Sequence, residues 1–336
     1  MVPIHHQTLT FSLGTCNPFA SLSTCLYKIA DQIFTALLKR SFFNGQFSLL
    51  PTALNRQRTL ELLKAGACRL NCRNQAGRKI DAIYISSTSP KRTGNALVYA
   101  LLKPYQRFHP KNFQHLLEDG ADIVLWNPTL ALGNHYKSDL ETVLRKLKQL
   151  RPMQKVAVAA YCASVDPSIA AVSAISDPSI SLIVDRGYGE VRKFAMGFTV
   201  AAQLPCLQRW IAHKAGCDGL RKINSIPGNV LFVAPPKRAD QLMRYNQGKR
   251  NFTYDLYETR QKRHPFATRM ITLQNSDHWT PWSSSVHNKC KRFLSDNQIV
   301  ATSYRHVSHK EFPIPSPPSF FRRHIFPLLI RSWGSV

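Results

Sequence analysis

Acidic side chains are scarce in this sequence. Against 45 Lys and Arg there are 19 Asp and Glu, which leaves a formal charge of +26 and a pI near 10.1. An excess of this sign governs association with anionic surfaces, nucleic acid or acidic lipid headgroups, and does not determine fold. Several other signals are missing. No G-x-x-x-x-G-K and no G-x-G-x-x-G follows a strand-like run, so no nucleotide cofactor is expected. Eight cysteines are scattered without C-x-x-C pairs, and Cys68 and Cys72, four apart, have no second half, which argues against a structural zinc site. His5-His6 and the pair His306 and His309 are too isolated to form a metal site. No run of 18 or more apolar residues is present, which argues against a spanning helix. The start M-V-P-I-H-H-Q-T lacks the basic region and apolar core of a cleavable signal. Reduced thiols and these absences lead to the expectation of a cytoplasmic protein, with peripheral membrane attachment as its variant.

What is present is alternation of strand-like and helix-like segments. Leu22, Leu26, Ile29, Ile33 and Leu37 follow helical spacing, and a second helical stretch runs from Thr52 to Ala65 before Gly66. A hairpin is expected across N-Q-A-G-R, with Gly77 supplying the positive φ. Strands are expected at Asn95–Leu102, Ala121–Trp126, Lys155–Ala160, Ile180–Val184, Val230–Ala234 and Arg269–Leu273, with helices at Phe113–Leu117, Asp139–Leu150 and Phe194–Ile211. The pattern fades beyond Lys289, into a proline-rich basic tail. The expected organisation is an N-terminal helical region over 1–65, an α/β domain over 66–293 with a cap-like insertion near 186–228, and an irregular tail over 294–336. The fold class is α/β, with a mainly parallel central sheet, flanking helices and an N-terminal β-hairpin.

The stretch Q-K-V-A-V-A-A-Y-C-A-S-V-D-P-S-I-A-A, from Gln154 to Ala171, organises the rest. It reads as a buried parallel strand, a tight turn carrying Ser164, and a helix entered through Asp166 as cap and Pro167 as first residue. A serine between strand and helix is the layout of a nucleophile elbow, normally G-x-S-x-G. Around Ser164 the two glycine places hold Cys162 and Asp166.

Taken with the hairpin G-A-C-R-L-N-C-R-N-Q-A-G-R-K-I-D-A-I-Y-I, the segment F-Q-H-L-L-E-D-G-A-D-I-V-L-W-N-P and the strand end L-I-V-D-R-G-Y, this order resembles the α/β-hydrolase superfamily over about Gly66–Phe293. Within it the segments are similar to the bacterial, chlamydial-type CHLPS branch. The resemblance implies a Ser–acid–His triad in that chain order. The nucleophile place falls on Ser164 and the histidine place on His278, in N-S-D-H-W after the last strand. The acid falls on Asp240, two residues late, with Asp185 as the fallback. It also implies two oxyanion donors, the backbone N–H of Val165 and one near Lys103, which Pro104 follows. Losing one such donor costs about a hundred- to a thousand-fold in rate. Misplacing the acid costs about ten-thousand-fold in serine proteases.

Two readings follow. In one, the chain is a serine hydrolase acting on an ester or lipid, with Phe194–Ile211 lining an acyl pocket, or a pseudoenzyme that keeps the fold without the chemistry. In the other it is a basic, non-catalytic protein. Its Lys237–His264 segment, interleaved with Tyr245, Phe252, Tyr254 and Tyr257, then meets an anionic membrane surface or, as the lesser option, nucleic acid.

Overall fold

Alternating burial along A-C-R-L-N-C-R and K-I-D-A-I-Y-I makes two antiparallel strands, β1 (Ala67–Arg73) and β2 (Lys79–Ile85). Gly77 closes the hairpin at φ +73°. In contrast, the following apolar runs are buried on both faces, as parallel strands covered by helices require. They are β3 (Ala96–Ala100), β4 (Asp122–Asn127), β5 (Val156–Tyr161), β6 (Ile180–Asp185) and β7 (Val230–Ala234). β8 (Thr268–Thr272) closes the far edge. The eight strands form one sheet in the order β1-β2-β4-β3-β5-β6-β7-β8. β2 is antiparallel to both neighbours, and every pair from β4 to β8 is parallel. The computed structural model describes residues 52–64, 66–100, 111–128, 133–189, 217–236, 253–274 and 282–301. All lie in Leu49–Val336, one of the two compact units into which the chain divides.

Helices α1 (Thr52–Lys64), α2 (Lys111–Glu118) and α7 (Ser284–Asp296) bring Leu62, Phe113, Leu116, Val286, Phe293 and Leu294 to one face of the sheet. Helices α3 (Gly133–Leu150), α4 (Val165–Ile175) and α6 (Thr253–Gln261) supply Tyr136, Leu140, Leu144, Ile169, Val172 and Leu256 to the other. A short α5 (Gly219–Lys222) precedes β7. β5 shows how the sheet divides its side chains: Val156, Val158 and Ala160 enter the second face, and Ala157 the first.

Most expected elements stand within one or two residues of their places. Three helices do not match the reading. α3 begins at Gly133, six residues before the expected Asp139. α7 continues seven residues past Lys289, where the apolar pattern thins to Cys290, Phe293 and Leu294 on one side. α6 lies inside the segment read as a basic and aromatic strand-gripping surface. Its Leu256 is fully buried, and Tyr257 packs edge-on against Phe232 with ring centres 5.8 Å apart, so this ring serves packing. The expected helices at Leu22–Leu37 and Phe194–Ile211 and the proline-rich tail lie outside the described residues.

Beyond β6, residues 190–216 leave the described structure between two joined points. Leu220 N donates to Gly189 O at 2.8 Å. Residue 219 approaches too closely for a side chain: a Cβ there would meet Asp166 Oδ1 at 2.7 Å.

Candidate active site

The sheet order reverses between β3 and β5, because β3 connects to β4 on one side while β5 continues on the other. Ligands of open α/β sheets bind at the carboxyl edge of that switch point. The chain there runs from β5 through a 3₁₀ turn, Cys162–Ser164, directly into α4.

Within that turn the strained residue is Cys162, at φ 57°. A non-glycine side chain in this region is costly and is held only where the surroundings impose it. Its thiol is half-exposed, with Sγ 3.9 Å from Tyr188 Oη. Small residues stand two before and two after it, Ala160 and Ser164. A sharp strand-to-helix turn needs small side chains at those two places.

Ser164 is not at the apex. Its exposure is 0 %, and it has an ordinary right-handed conformation at φ −77°. Its Oγ accepts the Tyr161 N–H at 3.0 Å, and its one proton faces Ala100 O at 2.5 Å and Tyr161 O at 2.8 Å. This is the return half of a capping box, a side chain three residues into the turn reaching back to the first N–H. The hydroxyl is committed to the main chain that joins β3, β5 and α4. From α3, the buried Tyr136 faces both Ser164 and Ser168, and burial pushes its phenol far above the usual tyrosine range.

The other expected residues also find definite places. Val165 N–H donates to Cys162 O, which closes the turn and removes it as an oxyanion donor. The N–H groups of a helical segment's first residues have no partner within it, and Ala163 is such a residue at the apex. The helix begins at Val165 with Ser164 at the cap position, so Asp166 and Pro167 sit inside the first turn. Pro167 still costs nothing there, since first-turn N–H groups have no carbonyl to meet. Asp166 is fully buried, and its Oδ1 accepts Gly219 N–H at 2.7 Å, so its charge is turned towards α5. Burial and then this carboxylate push the nearby Cys217 thiol well up.

Asp185 ends β6, in register beside Tyr161. Both its oxygens are held by the next residue: Arg186 Nε at 2.8 Å and Nη2 at 2.9 Å. Burial opposes the Arg186 charge, but the Asp185 carboxylate outweighs it, and the guanidinium is held above its ordinary value. The cation also lies over the Tyr161 ring, 5.1 Å from its centre. As a triad acid, Asp185 is thus already spent on its neighbour. Gly187 follows because the chain then crosses the elbow, where a Cβ would come within 2.2 Å of the Val165 side chain. His278, Asp240 and Lys103 lie outside the described residues.

No family model and no curated protein matches the sequence. Solved structures do match in three dimensions. An esterase of Pyrococcus furiosus superposes over 70% of this chain and 91% of its own at 15% identity, with a TM-score of 0.51. A thermophilic esterase of Thermogutta terrifontis covers 73% and 96% at 10% identity, also at 0.51. A dipeptidyl peptidase 4 of Porphyromonas gingivalis covers 69% of this chain and 35% of its own at 14% identity and 0.51. The fold is that of the α/β hydrolases. At the turn after β5 in this chain, the residue at the apex, with positive φ, is Cys162.

A signal for Cys162 was present in the sequence. A-Y-C-A-S satisfies the small-x-nucleophile-x-small frame, whereas C-A-S-V-D, centred on Ser164, places a buried carboxylate where a small residue belongs. Among the described residues no cluster of three or more His, Cys, Asp or Glu could hold a metal ion, and no helix is long and apolar enough to cross a membrane.

Proposed function

We propose that the protein is a thiol-dependent hydrolase of small acyl esters, with Cys162 in the place that serine holds in esterases of this fold. The observation that carries the reading is the pairing of a half-exposed cysteine at φ 57° on the elbow with a neighbouring serine whose oxygen is bound to the main chain. The thiolate attacks the ester carbonyl, and the resulting oxyanion faces the Ala163 N–H at the positive end of α4. Collapse expels the alcohol and leaves a thioester on Sγ. Water then cleaves it to the free acid and restores the thiol. His278 is assigned as the group that takes the thiol proton and returns it to the departing alcohol, with Asp240 as its acid partner. Lys103 stays the assigned neighbourhood of the second oxyanion donor. Within the superfamily, the chlamydial-type CHLPS branch is the narrower relationship that fits the quoted segments.

The test is acylation by p-nitrophenyl acetate followed by peptide mapping, in the wild type and in Cys162→Ala and Ser164→Ala variants. The expected result is a thioester at Cys162, absent from Cys162→Ala and retained in folded Ser164→Ala. A covalent adduct on Ser164 overturns the assignment. No adduct on any variant establishes a pseudoenzyme.

A further inference from the structure

The edge of the sheet opposite the elbow carries the most exposed apolar side chains of the described structure. Phe266 is 99 % exposed, Met153 92 % and Leu150 57 %. Met153 lies in the turn that enters β5, and Phe266 in the P-F-A turn that enters β8. Both therefore stand at the amino edge of the parallel strands, with β6 and β7 between them. Three strand spacings place these turns about 14 Å apart.

Charge at this edge leans positive. Most of its carboxylates are paired: Asp177 with Lys148 at 3.2 Å, Asp296 with Arg269, Asp119 with Lys291 at 2.7 Å, and Asp122 with Arg92 and Arg151 at 3.0 and 3.2 Å. The exposed Glu118, before β4, is bonded to Gln114 Nε2 at 2.9 Å. Lys155, Lys262 and Arg263 flank the two apolar tips, and no carboxylate of the described residues pairs with them. Arg151, although paired, is 43 % exposed beside Met153.

We propose that this amino edge is a docking face for an anionic lipid surface, with Phe266 and Met153 entering the interface and Lys155, Lys262 and Arg263 meeting the headgroups. Apolar tips ringed by cations are the two attractions that peripheral membrane binding combines. A nucleic-acid phosphate backbone would reward the cations but leave a fully exposed phenylalanine without use. The six residues of β5 separate this face from Cys162 by about 20 Å. Docked this way, the elbow faces away from the bilayer and draws its substrate from solution.

The experiment is co-sedimentation of the full-length protein with phosphatidylcholine vesicles, with and without phosphatidylserine. It compares the wild type, Met153→Ser/Phe266→Ser and Lys262→Glu/Arg263→Glu. The wild type should bind only the anionic vesicles. The apolar pair should lose about tenfold or more in affinity, and the loss should persist at high salt, where charge is screened. The charge reversal should cost at least about fivefold per site and vanish at high salt. All four side chains are exposed, so melting temperature and Cys162 acylation should be unchanged. Failure of docking thereby leaves the thiol reading untouched. Absence of vesicle binding overturns the proposal, as does equal binding by all three proteins. So does a wild-type dimer that Phe266→Ser dissolves, or preference for duplex DNA over the vesicles.

Discussion

Replacing Ser164 by alanine separates a structural serine from a catalytic one. The substitution deletes one oxygen that accepts the Tyr161 N–H at 3.0 Å and donates to Ala100 O or Tyr161 O. No water can take its place without room, since the site is 0 % exposed. The variant therefore strands one buried N–H and one buried carbonyl. Each orphaned group costs about 1–3 kcal/mol, so the sum is about 2–6 kcal/mol. The measurement is equilibrium unfolding in urea, followed by circular dichroism, with Thr at the same position as partial rescue. The midpoint should fall sharply in Ser164→Ala, while acylation per folded molecule survives. If stability is unchanged within about 0.5 kcal/mol, the usual range for substitutions outside such features, and acylation disappears, the serine is the nucleophile and the reasoning fails.

Three further outcomes follow from neighbouring contacts. Gly187→Ala forces a Cβ to within 2.2 Å of Val165, and should cost about 1–3 kcal/mol in thermal unfolding while depressing acylation, because Val165 is part of the elbow. Arg260 is fully buried, its guanidinium bonded to the carbonyls of Ile223, Ile226 and Gly228 at 2.6, 3.0 and 2.7 Å. Burial lowers its pKa to about 10, and Arg260→Leu, which orphans three acceptors, should lower the unfolding midpoint more than any surface Arg→Leu control. Burial, and then the nearby His115, depress His287 to about 4, so the folded state favours the neutral ring. Its contribution is complete above the ordinary histidine value near 6.5 and is lost as pH falls towards 4, where the unfolded chain binds the proton first. His287→Gln should flatten stability against pH across that window; an unaltered slope would assign acid sensitivity to other groups.

How much of this was legible depended on whether the signal was periodic or local. The strands β3 to β7 read correctly because each is a short apolar run, and Val230–Ala234 matches to the residue. α7 was lost because its buried face rests on Cys290, Phe293 and Leu294 among Lys289, Lys291 and Arg292, a pattern that looks basic before it looks amphipathic. The sequence places the elbow to within two residues of its apex at Cys162. The consensus expectation of serine drew attention to Ser164, whereas the physical requirement is that the residues flanking the apex be small. Ala160 and Ser164 meet that requirement around Cys162; Asp166 does not meet it around Ser164, and its carboxylate is instead consumed by Gly219 N–H. Asp185 was read as an acid in waiting, and only three dimensions reveal that Arg186 folds back onto it.

The hydrogen bond from Leu220 N to Gly189 O joins the two ends of a long excursion at a single point. A segment anchored this way is a cartridge: its length is not set by any distance it must span. Closing a loop twice as long costs only about 0.6 kcal/mol more, so the length of chain between Gly189 and Leu220 bears little on the stability of the described sheet. The Asp166–Gly219 and Leu220–Gly189 hydrogen bonds thus hold the two described ends together beside the elbow, whatever length of chain joins them.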